Sequence, residues 1–197
     1  MDVAELSASK ILEALRQKLQ YRVRESIDLA PTWSRAAVLV PVVATPDGLS
    51  LLFTRRTETV LAHKGQISFP GGQHEPGDET LLETALRETD EEIGLQPERV
   101  TLLGELDDVV TSVSGFVIAP FVGTVSGDLS DLRPAPNEVK SLLLVPVDRL
   151  RDPSVHHADD RMLDGKPFPI HYYTVGEDVI WGATARILYQ LLTMWES

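Results

Sequence analysis

The stretch RETDEEIGL, residues 87–95, decides how the rest of this sequence is interpreted. It ends a segment, residues 79–93, whose apolar residues recur at the spacing of an amphipathic helix. Glu88, Glu91 and Glu92 stand at positions i, i+3 and i+4, so a helix carries the three carboxylates within an arc of roughly 100°. Like charges this close repel each other, and oxygen-only ligands indicate a hard cation, magnesium or manganese, as the group that offsets the repulsion.

A glycine pair before this helix supports the ligand-binding interpretation. A solvated acidic helix face is a common alternative, and a simple turn alone would explain two adjacent glycines. However, SFPGG, residues 68–72, allows the backbone to approach a ligand or metal closely. This glycine pair, a spaced acidic residue and the acidic helix occur together much more rarely than any one of them alone.

Hydrophobic patterning predicts an α+β domain with a mixed β-sheet. The turn TPDG, residues 45–48, joins two apolar runs into a hairpin. Strands and helices do not alternate regularly, which disfavours a doubly wound fold. The predicted helices are 5–20, 79–93 and 182–196, and the predicted strands are 35–45, 50–56, 66–72, 100–106, 116–125, 141–147, 169–175 and 178–181.

Length and composition limit the class of protein. With 197 residues the chain fits one domain with a terminal extension, and its 18 basic and 30 acidic residues give a net charge of −12. This charge disfavours nucleic acid and anionic membranes as partners, although a small phosphorylated ligand can bind where a metal ion neutralises it. The absence of cysteine excludes a disulfide scaffold, a zinc–thiolate site and a cysteine nucleophile.

The beginning of the sequence carries charges from its second residue and lacks the apolar region of a signal peptide. No run approaches the roughly 18 apolar residues that a membrane-spanning helix needs. We therefore expect a cytoplasmic protein. A zinc site is not expected, because the five histidines are scattered along the sequence, at His63, His74, His156, His157 and His171.

Residues 71–95 resemble the Nudix box, G-x5-E-x7-R-E-U-x-E-E-x-G-U, where U is an aliphatic residue. The residues in register are Glu79, Arg87, Glu88, Glu91, Glu92, Gly94 and Leu95. Counting back from Glu79 places Gln73 at the first glycine position, so the loop after Gly72 is expected to be one residue longer. Thr89 replaces the aliphatic residue, a packing change that a helix face tolerates.

A second motif resembles the coenzyme A pyrophosphatase branch of the same family. The motif of that branch reads LLTxR[SA]x3Rx3Gx3FPGG, and residues 51–72 match it at Leu51, Thr54, Arg56, Gly65, Phe69, Pro70, Gly71 and Gly72. Thr57 stands where Ser or Ala is usual, and Leu61 replaces the second arginine. A contact made by that arginine in relatives would be absent here or taken over by Lys64. Residues 104–123 and 179–188 also resemble this branch.

The resemblance implies a Nudix-type α/β/α sandwich with a mixed sheet over residues 31–197, preceded by an N-terminal helical extension, residues 1–30. It implies metal-dependent hydrolysis of a nucleoside diphosphate-linked substrate. The expected substrate is coenzyme A or a derivative, which would yield 3′,5′-ADP and 4′-phosphopantetheine. The expected cofactor is Mg²⁺ or Mn²⁺.

The same resemblance assigns roles to individual residues. The implied metal ligands are Glu88, Glu91, Glu92 and the backbone carbonyl of Gly72 or Gly71. The implied proton acceptor is Glu91, Glu92 or Glu138, and Arg87 orients the glutamates, with Glu79 holding Arg87 or the loop. Candidates for binding the substrate's 3′-phosphate are Arg55, Arg56 and Lys64. Asp107 and Asp108 hold a ribose or a metal, or cap a loop.

Two alternative functions remain open at this point. One is a Nudix pyrophosphatase that acts on ADP-ribose, NADH or a dinucleotide polyphosphate, although the sequence lacks the SQPWPFPxS-like segment of the NADH branch. The other is a Nudix-fold sensor that binds a nucleotide metabolite without cleaving it, which the presence of all three box glutamates disfavours. The oligomeric state is open, with a homodimer as one alternative.

Overall fold

The computed structural model describes residues 3–28, 32–57, 65–111, 115–163 and 166–196. The helices are α1 (Val3–Tyr21), α2 (Leu81–Ile93), α3 (Val147–Leu150) and α4 (Gly182–Glu196). The strands are β1 (Ser34–Thr45), β2 (Gly48–Arg56), β3 (Ile67–Ser68), β4 (Gly71–Gln73), β5 (Val100–Glu105), β6 (Val109–Thr111), β7 (Phe116–Val125), β8 (Val139–Pro146), β9 (His156–Leu163), β10 (Lys166–Val175) and β11 (Asp178–Trp181). Two short 3-10 helices span Pro97–Arg99 and Leu129–Asp131.

A mixed sheet of eight strands forms the centre of the fold. Its order is β3-β2-β1-β7-β5, with β4 beside β1, β6 beside β7 and β8 beside β2. β1 and β7 pair in parallel, whereas the other neighbouring strands are antiparallel. A second, three-stranded antiparallel sheet has the order β11-β10-β9. The predicted α+β class and mixed sheet are confirmed.

The predicted hairpin joins β1 to β2 at the expected turn. The register runs from Val42 opposite Leu51 to Thr45 opposite Gly48. Gly48 has a positive φ of 117°, a conformation that side chains disfavour, and the Thr45 hydroxyl donates a hydrogen bond of 2.9 Å to the Gly48 carbonyl. The turn therefore fixes the register of β1 against β2.

Helices cover both faces of the large sheet, which completes the predicted sandwich. Successive side chains of β2 point to opposite faces. Leu51 and Phe53 pack in a core cluster with Leu188 of α4, and the second sheet contributes to the same cluster. Leu52 points the other way and packs with Ile93 of α2. We call the face covered by α2 the catalytic face and the other the α4 face.

α1 packs onto the domain rather than standing apart from it. The helix spans Val3–Tyr21, close to the predicted 5–20, and its Leu15 and Leu19 are buried in the cluster of the α4 face. The division into an extension, 1–30, and a domain, 31–197, stays a prediction. No helix in the described parts of the chain has a long enough apolar stretch to cross a membrane.

Five elements were not predicted: β6, α3, β9 and the two 3-10 helices. Most of β9 is polar, HHADDRML, and it is held by its pairing with β10, in which His156 lies opposite Tyr173. α2 begins two residues later than predicted because Thr80 caps it. The Thr80 hydroxyl accepts a hydrogen bond of 3.1 Å from the Glu83 amide, and the Glu83 carboxylate accepts one of 3.3 Å from the Thr80 amide.

Candidate active site

α2 packs on the sheet through a buried face that includes Thr89, the residue at the aliphatic position of the box. Ala85 and Ile93 are fully buried, and Thr89 is buried beside them. The Thr89 hydroxyl donates a hydrogen bond of 2.6 Å to the Ala85 carbonyl, so its polar atom has a partner inside the helix. Gly94 ends the helix with a φ of 70°, as predicted. The departure at Thr89 therefore leaves the helix intact.

Glu92 is a buried carboxylate at the end of this helix, with only 4% of its surface exposed. Its Oε2 accepts a hydrogen bond of 3.2 Å from the Gly71 amide, and its Oε1 lies 3.6 Å from Nη1 of Arg56. Burial raises the pKa of Glu92 to about 7. The Gly71 amide and Arg56 oppose this rise, whereas the charges of Glu138 and Glu88 add to it.

The two glycines before α2 leave little space for a side chain, and the constraint at Gly71 comes from backbone atoms. Gly71 has a φ of 146°, and a β-carbon there would overlap the Ala37 carbonyl oxygen and the Val38 backbone. A β-carbon at Gly72 would overlap the carboxylate of Glu88. The backbone at Gly72 therefore lies against the carboxylate of Glu88, and the expected close approach to a ligand or metal stays a prediction. The predicted role of the Gly72 carbonyl as a metal ligand stays a prediction.

Arg87 joins the acidic helix to the preceding loop. Its Nη1 donates to Glu88 Oε1 at 3.0 Å and lies 3.4 Å from both carboxylate oxygens of Glu91. Its Nε and Nη2 donate to the two carboxylate oxygens of Asp78, at 2.8 and 3.0 Å. These bidentate bonds raise the pKa of Arg87 and lower the pKa of Asp78 far below its usual range. Arg87 is therefore held in a position that orients two of the glutamates.

Asp78, and not the expected Glu79, makes the ion pair with Arg87. The Glu79 amide instead donates a hydrogen bond of 2.6 Å to the carboxylate of Glu83. Asp78 follows Gly72 by the G-x5-acid spacing of the Nudix box, so the extra residue lies between Asp78 and Arg87 and not in the loop after Gly72. Counting forward from the second glycine, instead of back from Glu79, would have found this residue.

The three box glutamates are divided between two arginines. Glu88 and Glu91 contact Arg87, whereas Glu92 contacts Arg56. Among the described residues, no three acidic or histidine side chains are already grouped closely enough to hold a metal ion. The set Glu88, Glu91 and Glu92 therefore stays a predicted metal site, and a cation would replace part of these arginine contacts.

The donor chemistry nevertheless fits a hard divalent cation. Burial raises the pKa of Glu88, and although Arg87 opposes the rise, the charges of Glu91 and Glu138 add to it. Glu92 is repelled by the same group of carboxylates. Several oxygen donors that repel one another in a partly buried site are suited to Mg²⁺ or Mn²⁺.

Glu138 lies close to these carboxylates because two elements hold its loop. The Ala135 amide donates a hydrogen bond of 2.8 Å to the Glu92 carbonyl at the end of α2. The Thr57 amide donates to the Glu138 carbonyl at 2.9 Å, and the Thr57 hydroxyl donates to the Asn137 carbonyl at 3.0 Å. The side chain of Glu138 is exposed, so it is accessible from solvent.

The three candidate phosphate-binding cations do not form one group. Arg56 points to the catalytic face, where it lies beside Glu92. Arg55 points to the α4 face and forms an ion pair with Asp178 at the start of β11. Lys64 and the substituted Leu61 lie outside the described residues. Arg55 is therefore unsuited to contact a ligand that lies beside the box glutamates.

Asp107 and Asp108 match the loop-capping alternative. Arg22 forms an ion pair with Asp107, and Asp108 forms ion pairs with both Arg24 and Arg35. Their carboxylates are thus bound within the protein. A ribose or metal would have to displace these arginines.

The histidines are less scattered in space than in sequence. Nε2 of His156 and Nδ1 of His171 are 3.0 Å apart on the α4 face, and the ring of Tyr189 stacks on His171. His74 lies instead in the loop before α2, and His63 is outside the described residues. Burial lowers the pKa values of His156 and His171, which keeps this pair neutral at pH 7.

Comparisons with known proteins agree with this geometry. Residues 33–165 match the family model of the NUDIX domain. The uncharacterised Nudix hydrolase NudL of Photorhabdus laumondii is 37% identical over 156 residues, which cover 79% of this chain and 82% of the relative. The protein of the same description from Pectobacterium atrosepticum is 36% identical over 157 residues, which cover 80% of each chain.

Solved structures support the fold. A MutT/nudix family protein from Enterococcus faecalis aligns with a TM-score of 0.58 at 15% identity and covers 97% of this chain and 73% of its own. DR0079 from Deinococcus radiodurans aligns with a TM-score of 0.54 at 14% identity, with coverages of 83% and 87%. The family model and the two relatives show that the chain belongs to the Nudix hydrolase family and is a pyrophosphatase that acts on nucleoside diphosphate-linked substrates.

Proposed function

We propose that this pyrophosphatase hydrolyses coenzyme A or a derivative of it into 3′,5′-ADP and 4′-phosphopantetheine. The observation that carries the proposal is the 3.6 Å contact between Arg56 and Glu92. Arg56 belongs to the motif that resembles the coenzyme A branch, and Glu92 belongs to the Nudix box. The contact therefore joins the motif that suggests the substrate to the motif that is proposed to carry out hydrolysis.

Arg56 is the proposed phosphate-binding residue. Its distance from Glu92 is longer than a hydrogen bond, and its Nε is buried without a hydrogen-bond partner among the described residues. The guanidinium therefore keeps donors available for a phosphate oxygen, which binds arginine in the same bidentate way as a carboxylate.

Glu88, Glu91 and Glu92 are the proposed ligands of Mg²⁺ or Mn²⁺, with the carbonyl of Gly72 as an additional donor. When bound, the cation neutralises the diphosphate and makes its phosphorus more electrophilic. Arg87 holds two of these carboxylates in place through its own ion pairs.

Glu138 is the proposed proton acceptor for the attacking water. It is exposed, whereas Glu92 is buried and tied to Gly71, and Glu91 is paired with Arg87. Its loop is held by Thr57 on one side and by the end of α2 on the other. A carboxylate so placed reaches the catalytic face without giving up an ion pair.

A substrate panel tests the proposal. Coenzyme A, acetyl-coenzyme A, ADP-ribose, NADH and a dinucleotide polyphosphate are incubated with the protein and Mg²⁺ or Mn²⁺, and products are separated by chromatography. We expect 3′,5′-ADP and a 4′-phosphopantetheine product from the coenzyme A compounds at the highest rate. Rapid cleavage of ADP-ribose without cleavage of coenzyme A would reject this substrate and favour the other Nudix pyrophosphatase activity.

A further inference from the structure

We propose that residues 22–28 form a strap that positions the catalytic loop, and that Arg24 is the positioning residue of this strap. The matched NUDIX domain begins at residue 33, so the strap lies outside it. Only the expected effect on turnover rests on the proposed function. The structural part of the inference concerns how the catalytic loop, residues 73–78, is held.

The strap meets the domain at Asp108, whose side chain is fully buried. Asp108 accepts a hydrogen bond of 2.9 Å from the Ile27 amide and forms ion pairs with Arg24 and Arg35, the latter at 2.8 Å. Burial by itself would raise the pKa of Asp108, but these bonds outweigh it and lower the pKa. Arg24 also pairs with Glu105, so the strap is tied to both ends of the segment that follows β5.

Arg35 transmits this arrangement to the catalytic loop. Its side chain is fixed by the strap, because Nη2 donates to the Ile27 carbonyl at 2.7 Å and Nη1 to Asp108. Its backbone carbonyl accepts a hydrogen bond of 3.0 Å from the His74 amide. One residue therefore contacts the strap through its side chain and the loop through its backbone.

The loop then contacts α2 through a second group of hydrogen bonds. Nδ1 of His74 lies 2.9 Å from the Thr84 hydroxyl, which lies 2.8 Å from Oδ2 of Asp78. Asp78 in turn holds Arg87, the residue that orients the box glutamates. The contacts from the strap to Arg87 are thus contiguous, and such a chain of hydrogen bonds and ion pairs can carry coupling between two regions.

Loss of Arg24 should loosen this arrangement. Asp108 would remain buried with Arg35 and the Ile27 amide alone, and a buried carboxylate that loses a partner is strongly destabilised. The side chain of Arg35 would then shift towards Asp108, or water would enter beside the carboxylate. In either case we expect the Arg35 backbone carbonyl, which accepts the hydrogen bond from the His74 amide, to be held less firmly.

The test compares Arg24→Gln with Arg16→Gln, which is the same change at an exposed arginine of α1 that is paired with Glu13. Hydrogen exchange of the His74 amide is measured against amides of β2, and kcat and KM are measured for the preferred substrate. For Arg24→Gln we expect the His74 amide to exchange faster by about threefold or more and kcat to fall by about threefold or more. KM should change little. Arg16→Gln should match the wild type in all three quantities.

A double variant separates positioning from general destabilisation. If Arg24 acts through Asp108, the variant Arg24→Gln/Asp108→Asn should be no slower than Asp108→Asn alone, and Arg24→Lys should restore part of kcat. Additive losses of kcat in the double variant would overturn the positioning role of Arg24. Identical rates of His74 amide exchange in Arg24→Gln and Arg16→Gln would do the same. An inactive wild type would refute the proposed function instead, while the exchange comparison would still decide the structural part.

Discussion

Arg55 and Arg56 are neighbours in β2, yet they belong to opposite faces of the sheet. Arg55 reaches Asp178 of the second sheet on the α4 face, whereas Arg56 lies beside the buried Glu92 on the catalytic face. Both are basic residues of the same motif region, so residue type alone does not show which face each one points to. The alternation of side chains along the strand does show it, because successive residues point to opposite faces.

The two faces also differ in how their polar groups are satisfied. On the α4 face, Arg55 is paired and His156 is hydrogen-bonded to His171. On the catalytic face, Glu92 is buried with a raised pKa, and Arg56 Nε has no hydrogen-bond partner in the part of the chain that the structure describes. Incompletely satisfied groups cost stability and are retained where a ligand completes them. The predictions below test this difference.

The largest effect is expected at Glu92. We predict that Glu92→Gln lowers turnover by about a thousandfold or more, since it removes the charge of a proposed metal ligand. The same variant should be more heat-stable than the wild type without metal. Because burial raises the pKa of Glu92 to about 7, the folded state is increasingly penalised as the pH rises from about 4.5 to about 7, and the penalty stays at about 3 kcal/mol at most above that pH.

Steady-state kinetics with Mg²⁺ checks the first part, and thermal unfolding at pH 8 in the presence of chelator checks the second. Glu98→Gln, the same change at an exposed residue of a short 3-10 helix, is the matched control and should behave as the wild type. Wild-type turnover in Glu92→Gln would remove Glu92 from the metal site.

A smaller effect on turnover is expected at the acidic residue before α2. We predict that Asp78→Asn lowers kcat by about tenfold, because the position of Arg87 depends on its bidentate bonds to Asp78. Glu79→Gln should remain close to the wild type. The measurement is kcat for both variants at a temperature well below their unfolding midpoints, and the reverse order of effects would restore Glu79 as the partner of Arg87.

A smaller effect is expected in the pH dependence of stability. The pKa of Asp108 is lowered in the folded protein, whereas an unfolded carboxyl group titrates near pH 4. Its contribution to stability is therefore complete above about pH 4 and is lost as the pH falls towards the folded pKa. The stability difference between the wild type and Asp108→Asn, from denaturant unfolding, should be constant from pH 5 to 7 and shrink below about pH 4. A difference that grows on acidification would contradict the ion pairs at Asp108.

The smallest effect is expected on the α4 face. Arg55→Gln removes an ion pair in which both side chains are about one-quarter exposed, which costs about 1 kcal/mol. We predict a thermal midpoint lower by about 3 °C and turnover within about twofold of the wild type. A large loss of turnover in a folded Arg55→Gln protein would show that this residue also serves the catalytic face.

The local features of the site could be predicted from the sequence because they are periodic or closely spaced. The helical spacing of Glu88, Glu91 and Glu92 and the stop at Gly94 depend on a few consecutive residues. The β1–β2 hairpin could be predicted for the same reason. The opposite directions of Arg55 and Arg56 also follow from strand alternation and could have been inferred from Leu51 and Phe53.

The remaining features depend on contacts between distant segments. Arg24 and Asp108 are 84 residues apart, and nothing local to either residue indicates the other. β9 has no apolar alternation and is defined by its pairing with β10. The partner of Arg87 was misassigned because the spacing was counted from one end of the motif only. For Arg24, Asp108 and β9, tertiary contacts and not local propensity decide the outcome, whereas the partner of Arg87 could have been found by counting the motif from both ends.

The most direct test of the account compares Arg56→Gln with Arg55→Gln in coenzyme A hydrolysis, with kcat/KM measured for both variants and the wild type. Arg56 is proposed to bind substrate phosphate, so we predict that Arg56→Gln lowers kcat/KM by about tenfold to a hundredfold. Arg55→Gln should stay within about twofold of the wild type. Equal losses in the two folded variants, or a larger loss in Arg55→Gln, would contradict the assignment of substrate binding to the face that carries Glu92.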